Sequence, residues 1–365
     1  MLTEEEKDTL ALFGVPGVGA KTFTTLTAIF GTPAGVFGAP KKELLSIDGV
    51  GPVLTENILK HNRNEYVSEQ IKLMDKCGAV MLIKSGEKYP KLLKVFKSAP
   101  PVLFMRGNPD TFSESSLAFV GTRRPTDYGI KMTKNLVSGA VRAGMVVVSG
   151  MAAGIDSSAH REAIAGGGKT VAVFGCGVDI IYPSFNRKLS GDIIKNGCLV
   201  SHFQMGTLCK AGNFPARNAV IVGLSVGTIV VEAPSKSGAL ITAELTLKAG
   251  RKLFTVPGNA DSPKSEGTNN LVSKGAFPVF SIENILYILG NNPVTNHELT
   301  KPENKRPLPE GLGGDILKIL DEKPLHVETI SENLGKTISE ILSELTFLEM
   351  DNFVRQKPGK YFEKI

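Results

Sequence analysis

Arg123 and Arg124 stand side by side in Gly121–Thr126 (GTRRPT), directly after an apolar run. Four more segments of the same character follow: Ser149–Asp156 (SGMAAGID), Phe174–Ser184 (FGCGVDIIYPS), Glu232–Ala239 (EAPSKSGA) and Val256–Asn269 (VPGNADSPKSEGTN). Each comes after a β-like stretch and is rich in Gly, Ser, Thr or Pro. In a doubly wound sheet, ligands sit outside the carboxyl ends of the strands, where helix N-termini direct amide N–H groups outward. Glycine lets backbone come close to a bound group, and guanidinium groups neutralise charge. Loops of this composition along one sheet edge are suited to holding an anion.

Other chemistries fit the residues poorly. Dinucleotide binding asks for G-x-G-x-x-G after the first strand and a carboxylate at the end of the second. Here the first turn carries Pro125, the second strand ends in Ser149-Gly150, and Gly175-Cys176-Gly177 is an isolated GxG. No P-loop pattern occurs. Asp156 and His160 are four apart on one helix face, which suits a cap and a packed imidazole better than a metal pair. Ser201 and His202 are strand neighbours that point to opposite faces, so they cannot act as nucleophile and base. Glu232 at a strand end could act as a base, hold an arginine or cap a helix. Cys198, His202 and Cys209 lack a fourth ligand and the spacing of a zinc site. No metal or cofactor is expected.

The chain has 365 residues, enough for two or three domains. Apolar residues make up 42% and charged residues 21%, an ordinary globular composition. No apolar stretch reaches the ~18–20 residues that span a bilayer. The N-terminal MLTEEEKDTL is acidic and does not read as a signal peptide. Four irregularly spaced cysteines suit a reducing cytoplasm, the expected location. The net charge of +6 is uneven: residues 113–290 hold 18 Lys/Arg against 11 Asp/Glu, while residues 311–365 hold 7 against 10. The positive excess lies with the loop-rich region and points to a polyanionic partner there.

Residues 1–75 carry one pattern twice, Phe13–Phe23 and Ile47–Ile58, each an apolar residue, a Gly-x-Gly hairpin and an amphipathic stretch. This predicts a helix-hairpin-helix (SAM-like) domain, whose hairpins either offer amides to phosphate or simply pack. Residues 78–112 read as an antiparallel extension. Within a domain of residues 76–289, strands are predicted at Leu117–Val120, Met145–Ser149, Thr170–Phe174, Cys198–Phe203, Thr228–Val231, Lys252–Val256 and Phe277–Phe280. Helices are predicted at Asp127–Ala143, Ile155–Ala165, Asn186–Lys195, Ala216–Leu224 and Ala239–Ala249. The alternation gives an α/β fold, an extended Rossmann-like doubly wound parallel sheet. Residues 290–312 read as a linker. Residues 313–365 read as three helices and a ribbon, a C-terminal winged helix. Its third helix carries Glu340, Glu344 and Glu349 where a groove reader needs Arg or Lys.

Gly121–Gly129, Ser149–Asp156, His160, Val173–Asn186, Phe214–Asn218, Gly223–Ser225, Ser237–Glu244, Gly250-Arg251, Pro257-Gly258 and Gly267–Ala276 together, in this order, resemble the DprA/Smf family of DNA-processing proteins of natural transformation. The resemblance covers residues 80–280 densely, and the flanking segments match the family's usual layout. It implies a non-catalytic protein that binds single-stranded DNA without sequence preference, dimerises and helps load RecA. Carried over by position, the binding residues would be Gly121, Thr122, Arg123, Ser149, Gly150, Gly154, Gly175, Gly177, Phe214, Arg217 and Asn218, with Arg124 and Lys210 as further phosphate contacts. The sequence departs from the family pattern at His202, where Glu is usual, and at Ala219, where a second Arg is usual. The missing Arg is expected to leave the groove less positive. A nucleotide-hydrolysing enzyme with Glu232 as base, or a nucleotide sensor, are the alternative readings.

Overall fold

The computed structural model describes residues 2–96, 98–113, 115–290, 311–320, 324–350 and 353–364. The predicted linker thus lies almost wholly outside the described residues. The chain forms two compact units, Met1–Pro293 and Val294–Ile365.

Nine strands build one sheet in the first unit: β1 (Val80–Ile83), β2 (Val102–Gly107), β3 (Ser116–Val120), β4 (Val146–Ser149), β5 (Thr170–Val173), β6 (Gly197–Ser201), β7 (Gly227–Val230), β8 (Lys252–Thr255) and β9 (Phe277–Pro278). Their order is β1-β2-β6-β5-β4-β3-β7-β8-β9. From β6 to β9 every pairing is parallel. The predicted antiparallel extension is the β1–β2 pair, which continues the sheet through β2 against β6, Phe104 opposite Ser201. The chain leaves β3 in one direction through β4, β5 and β6 and returns to β7 on the other side of β3. That reversal opens a crevice at the carboxyl ends of the central strands, the expected place for a ligand.

Strands β3 to β7 are buried along their whole length because helices cover both sheet faces. One apolar layer includes Leu117, Phe119, Leu136, Val137, Ile155 and Phe254, and the other includes Leu103, Val148, Val171, Val200, Ile221 and Leu253. Thr126 starts helix Asp127–Arg142 by accepting from the Gly129 amide, 3.2 Å. Helix Ile155–Ala165 has the predicted limits. Helix Asn213–Gly223 begins three residues before its predicted start. Pro215 lies in its first turn, where the missing N–H has no intrahelical acceptor in any case. That early start places Phe214 on the helix.

The N-terminal hairpins have a core of their own, with Leu12, Val18, Leu26, Leu44 and Ile58. Leu10, Ala11, Val67 and Met74 of the same segment instead join the layer over Ile83, Phe104 and Phe174. The Met205 amide donates to Gln70 Oε1 (3.0 Å), and Gln204 Nε2 donates to the Phe13 carbonyl (3.3 Å).

The second unit is a winged helix. Helices Leu312–Ile319, Val327–Leu334 and Ile338–Met350 pack around Ile316, Ile330, Ile341 and Leu345, closed by Val354 and Phe362. β10 (Leu325–His326), β11 (Val354–Lys357) and β12 (Tyr361–Lys364) form its sheet. Glu340 caps its own helix through Thr337, and Glu349 accepts from the Gln356 amide. On the wing, Arg355 and Lys357 both pair with Glu363. Two of the three acids of the third helix, Glu340 and Glu349, therefore serve the fold. No helix among the described residues is long and apolar enough to cross a membrane.

Candidate nucleic-acid interface

The loop after β3 is held from below by Glu232. Its two carboxylate oxygens accept from the Thr126 amide (2.8 Å) and hydroxyl (2.9 Å), and its backbone carbonyl accepts from the Thr122 amide (2.7 Å). Glu232 is therefore a clamp on the first loop, and the base suggested for a hydrolase is fully engaged. Thr122 is buried and its hydroxyl accepts from the Arg124 amide, 3.2 Å. Clamped in this way, the loop projects Arg123 and Arg124, both exposed and without a carboxylate partner among the described residues.

The second loop, after β4, is built around a buried pair. Asp156 accepts from the amides of Gly150 (3.2 Å) and Ala152 (3.4 Å). Arg217, only 6% exposed, donates Nη1 to the carbonyls of Gly150 and Val173, the latter at 3.2 Å. Burial pushes the Asp156 carboxyl above its usual range, and the Arg217 charge and the two amides pull it back. A side chain at Gly150 would collide with the Arg217 guanidinium. Gly154 has φ +81°, and a Cβ there would come within 2.7 Å of the Arg123 backbone carbon, so only glycine lets the first two loops touch. Met151 beside them also has positive φ, 62°. Its carbonyl is tied to Asn186 Nδ2 at 3.0 Å. The Ser149 hydroxyl is spent inside the sheet, donating to the Phe119 carbonyl at 2.6 Å.

Phe214 lies where the loops meet. Its ring packs on Gly175, where a Cβ would sit 3.2 Å from the ring. The guanidinium carbons of Arg123 and Arg217 lie 5.5 Å and 5.4 Å from its centroid, within cation–π range. A cavity of about 140 Å³ on one side includes Gly150, Phe174, Gly175 and Tyr182 in its wall. A second, about 320 Å³, includes Gly121, Asp156, Asn218 and the Ser237–Ala239 helix start. Arg123, Ala152, Phe214 and Arg217 line both. Lys210 is exposed three residues before the helix.

The structure thus gathers Gly121, Arg123, Gly150, Gly175, Phe214, Arg217 and Asn218 around two cavities. Ser149, Thr122 and Gly154 support them from within. Gly177 lies elsewhere: it is buried where its loop meets the Gln204–Gly206 backbone, its amide donating to the Thr207 carbonyl at 2.8 Å. Sequence reasoning missed Tyr182 and Phe185, which are 47% and 69% exposed beside the first cavity. Two aromatics flanking a proline in a polar loop were the available signal. It also missed Lys236, exposed next to Ser237.

One expectation is corrected. Ala219 does not lie in the groove. Two residues after Arg217 is about 200° round a helix. Ala219 accordingly faces backward with Ala216, into a cavity it shares with His202. An arginine there would not add charge to the rim. The imagined zinc ligands stay apart as well: Cys198 is buried in β6, Cys209 lies against Cys176, and the described residues hold no cluster of three metal-ligating side chains.

Comparison with known proteins gives the family. The family described as DNA recombination-mediator protein A matches residues 80–290, and the DprA winged helix domain matches residues 300–360. The chain belongs to the DprA/Smf family. Protein Smf of Synechocystis is 32% identical over the whole of both chains. DNA processing protein DprA of Bacillus subtilis is 38% identical over 60% of this chain and 73% of its own. Among solved structures, DprA of Streptococcus pneumoniae superposes with a TM-score of 0.68 at 30% identity, covering 78% of this chain and 98% of that one. DprA of Helicobacter pylori, described by its single-stranded DNA binding mode, gives 0.53 at 33% identity over 58% and 95%.

Proposed function

We propose that the rim holds one strand of DNA, without base sequence preference, and passes it to a recombinase. The observation that carries this reading is Phe214, half-buried in the wall of both cavities, with two guanidinium groups within cation–π range of its ring. An aromatic face accepts any base, but only one that has left its stack, so it favours a single strand over a duplex. The flanking Arg123, Arg124, Lys210 and Lys236 would follow the backbone phosphates. Tyr182 and Phe185 would extend the stacking surface. The H. pylori relative's binding mode supports the choice of strand.

No chemical step belongs to this reading. Glu232, Ser201 and His160 are each engaged in hydrogen bonds that hold the fold. Delivery to RecA follows from the family resemblance and fits the recombination-mediator description. A second copy would pair where β9 leads into helix Ile282–Leu289, with Phe280 after the strand and Tyr287 on the helix 67% and 75% exposed. The helical segment 1–75, the sheet domain 76–289 and the winged helix 313–365 are read as the three working parts.

Fluorescence anisotropy with dT oligomers of increasing length, a duplex and thymidine monophosphate tests the assignment. Affinity should climb with length to a plateau, and the duplex should bind more weakly. A mononucleotide that matches the longest oligomer, or is hydrolysed, would instead favour a sensor or an enzyme.

A further inference from the structure

Two thiols meet just behind the rim. Cys176 follows Gly175 in the third loop and is buried in the apolar layer with Phe174, Val178 and Met205, while Cys209, partly buried, packs against the same layer. Hydrogen bonds hold the two segments together. The Gly177 amide donates to the Thr207 carbonyl (2.8 Å), and Asn213 Nδ2 donates to the carbonyls of Gly175 (2.9 Å) and Leu208 (3.4 Å). Residues 207 and 208 are thereby fastened beside 175 and 177, and the Cys209 thiol comes against the Cys176 thiol.

The two sulfurs differ in access. Burial pushes the Cys176 thiol up to about 12, so it stays protonated, and its Sγ donates to the Ile180 carbonyl at 3.2 Å. Cys209 is the one that a reagent reaches first: it is partly exposed, between the exposed Leu208 and Lys210. Burial raises its thiol as well, while the Arg217 and Arg123 charges favour its thiolate. Positive surroundings and partial exposure are the setting of a cysteine that exchanges.

We propose that Cys176 and Cys209 are an oxidation site, converted to an internal disulfide by exchange with a small-molecule disulfide. The Cys209 thiolate attacks one sulfur of the reagent, forming a mixed disulfide and releasing the first reagent thiol. The Cys176 sulfur then attacks Cys209 Sγ and gives its proton to the second departing thiolate. The protein pair loses two electrons and two protons, and the reagent gains both as two free thiols. A disulfide draws its sulfurs to about 2.05 Å, far inside non-bonded contact, so one segment must move. Cys176 is fixed by the Ser201 hydroxyl, which donates to its carbonyl at 2.6 Å, whereas residues 207–210 have no regular structure. The movement therefore falls on Cys209 and takes Lys210 inward, away from the rim. This consequence rests on the strand-binding reading, in which Lys210 meets a phosphate; the cross-link itself does not.

The test incubates the full chain with oxidised glutathione, blocks the remaining thiols with iodoacetamide and maps the products by mass spectrometry. Chymotrypsin, which cleaves after Phe203, separates Cys198 from Cys209. A peptide pair joining Cys176 to Cys209 should appear, lighter than its two parts by two hydrogen atoms, and dithiothreitol should reverse it. Folded protein without that link overturns the proposal, as does glutathione retained on Cys209 while Cys176 stays a free thiol. Anisotropy with dT20 then reads the consequence. The cross-linked protein should bind at least about threefold more weakly, having lost one charged contact. Its slope of log affinity against log salt should be shallower by about 0.7. Unchanged affinity and slope in cross-linked protein would refute the withdrawal of Lys210. Cys209→Ser should bind dT20 like the reduced protein, with or without oxidised glutathione, and Cys209→Ala takes its place if the serine variant does not fold. Reduced protein that ignores dT20 would sink the strand-binding reading alone, because the peptide map involves no DNA.

Discussion

Replacing Arg123 with alanine should change how the protein's grip on DNA responds to salt, not only how tight it is. Arg123 lines both cavities, and three more exposed cations, Arg124, Lys210 and Lys236, stand next in sequence to lining residues Arg123, Ala211 and Ser237; none of the four has a carboxylate partner among the described residues. Each that neutralises a phosphate on a single strand contributes about −0.7 to the slope of log affinity against log salt, so four give about −2.8. Between 50 and 200 mM salt, affinity for a labelled dT20 should then fall roughly 50-fold. Arg123→Ala should give a slope near −2.1 and a fall of roughly 18-fold over the same range. At fixed salt the lost charge-assisted contact should cost about 1.5–3 kcal/mol. Arg123→Lys should restore the slope but not all of the affinity, because an ammonium loses the planar contact with Phe214. The assay is fluorescence anisotropy over a KCl series for the three proteins. An Arg123→Ala protein that binds weakly with the wild-type slope would refute the reasoning: Arg123 would then be supporting Phe214 without meeting a phosphate. A wild-type slope shallower than −0.7 would remove the electrostatic account of the whole rim.

Phe214→Leu should weaken every dT oligomer by about 1–3 kcal/mol, the worth of one stacked base, with little change in melting temperature; a loss of stability with unchanged affinity would mean that the ring only packs. Gly154→Ala should destabilise the protein by about 1–2 kcal/mol for the positive φ alone. It should also lower strand affinity by pushing the Arg123 backbone, so a variant with wild-type melting and binding would show that the loops can part freely. His160 and His202 are held neutral by burial, which lowers their pKa values to about 3 and about 4. Their folded values lie below the unfolded value of about 6.5, so the stability they contribute is complete above that pH and is lost as pH falls below it. From pH 7.5 to 5.0 each should remove about 2 kcal/mol. Urea midpoints at pH 7.5 and 5.0 check this, and His202→Gln should shrink the difference; coincident midpoints would contradict it.

The sequence alone was sufficient for the strands of the central sheet, for most of the helices between them and for the edge at which they converge. Short β-branched runs such as Val146–Val148, bounded by glycine, fit strands buried on both faces, and Ser/Thr/Gly punctuation marks helix starts, because period and turn chemistry are local properties of the chain. The family motifs also pointed to Phe214 and Arg217. The use made of each side chain was decided elsewhere. Glu232 could read as a base until Thr126, more than a hundred positions away, met both of its oxygens. Arg217 read as a contact to the strand, but only the folded chain brings the Gly150 and Val173 carbonyls to its Nη1. Ala219 looked like a loss of charge at the groove until the helix turned it toward the first hairpin. A hydrogen bond or a cavity wall needs two segments to arrive at one point with the right faces turned. Spacing along the chain carries the faces, and the packing of distant segments supplies the meeting.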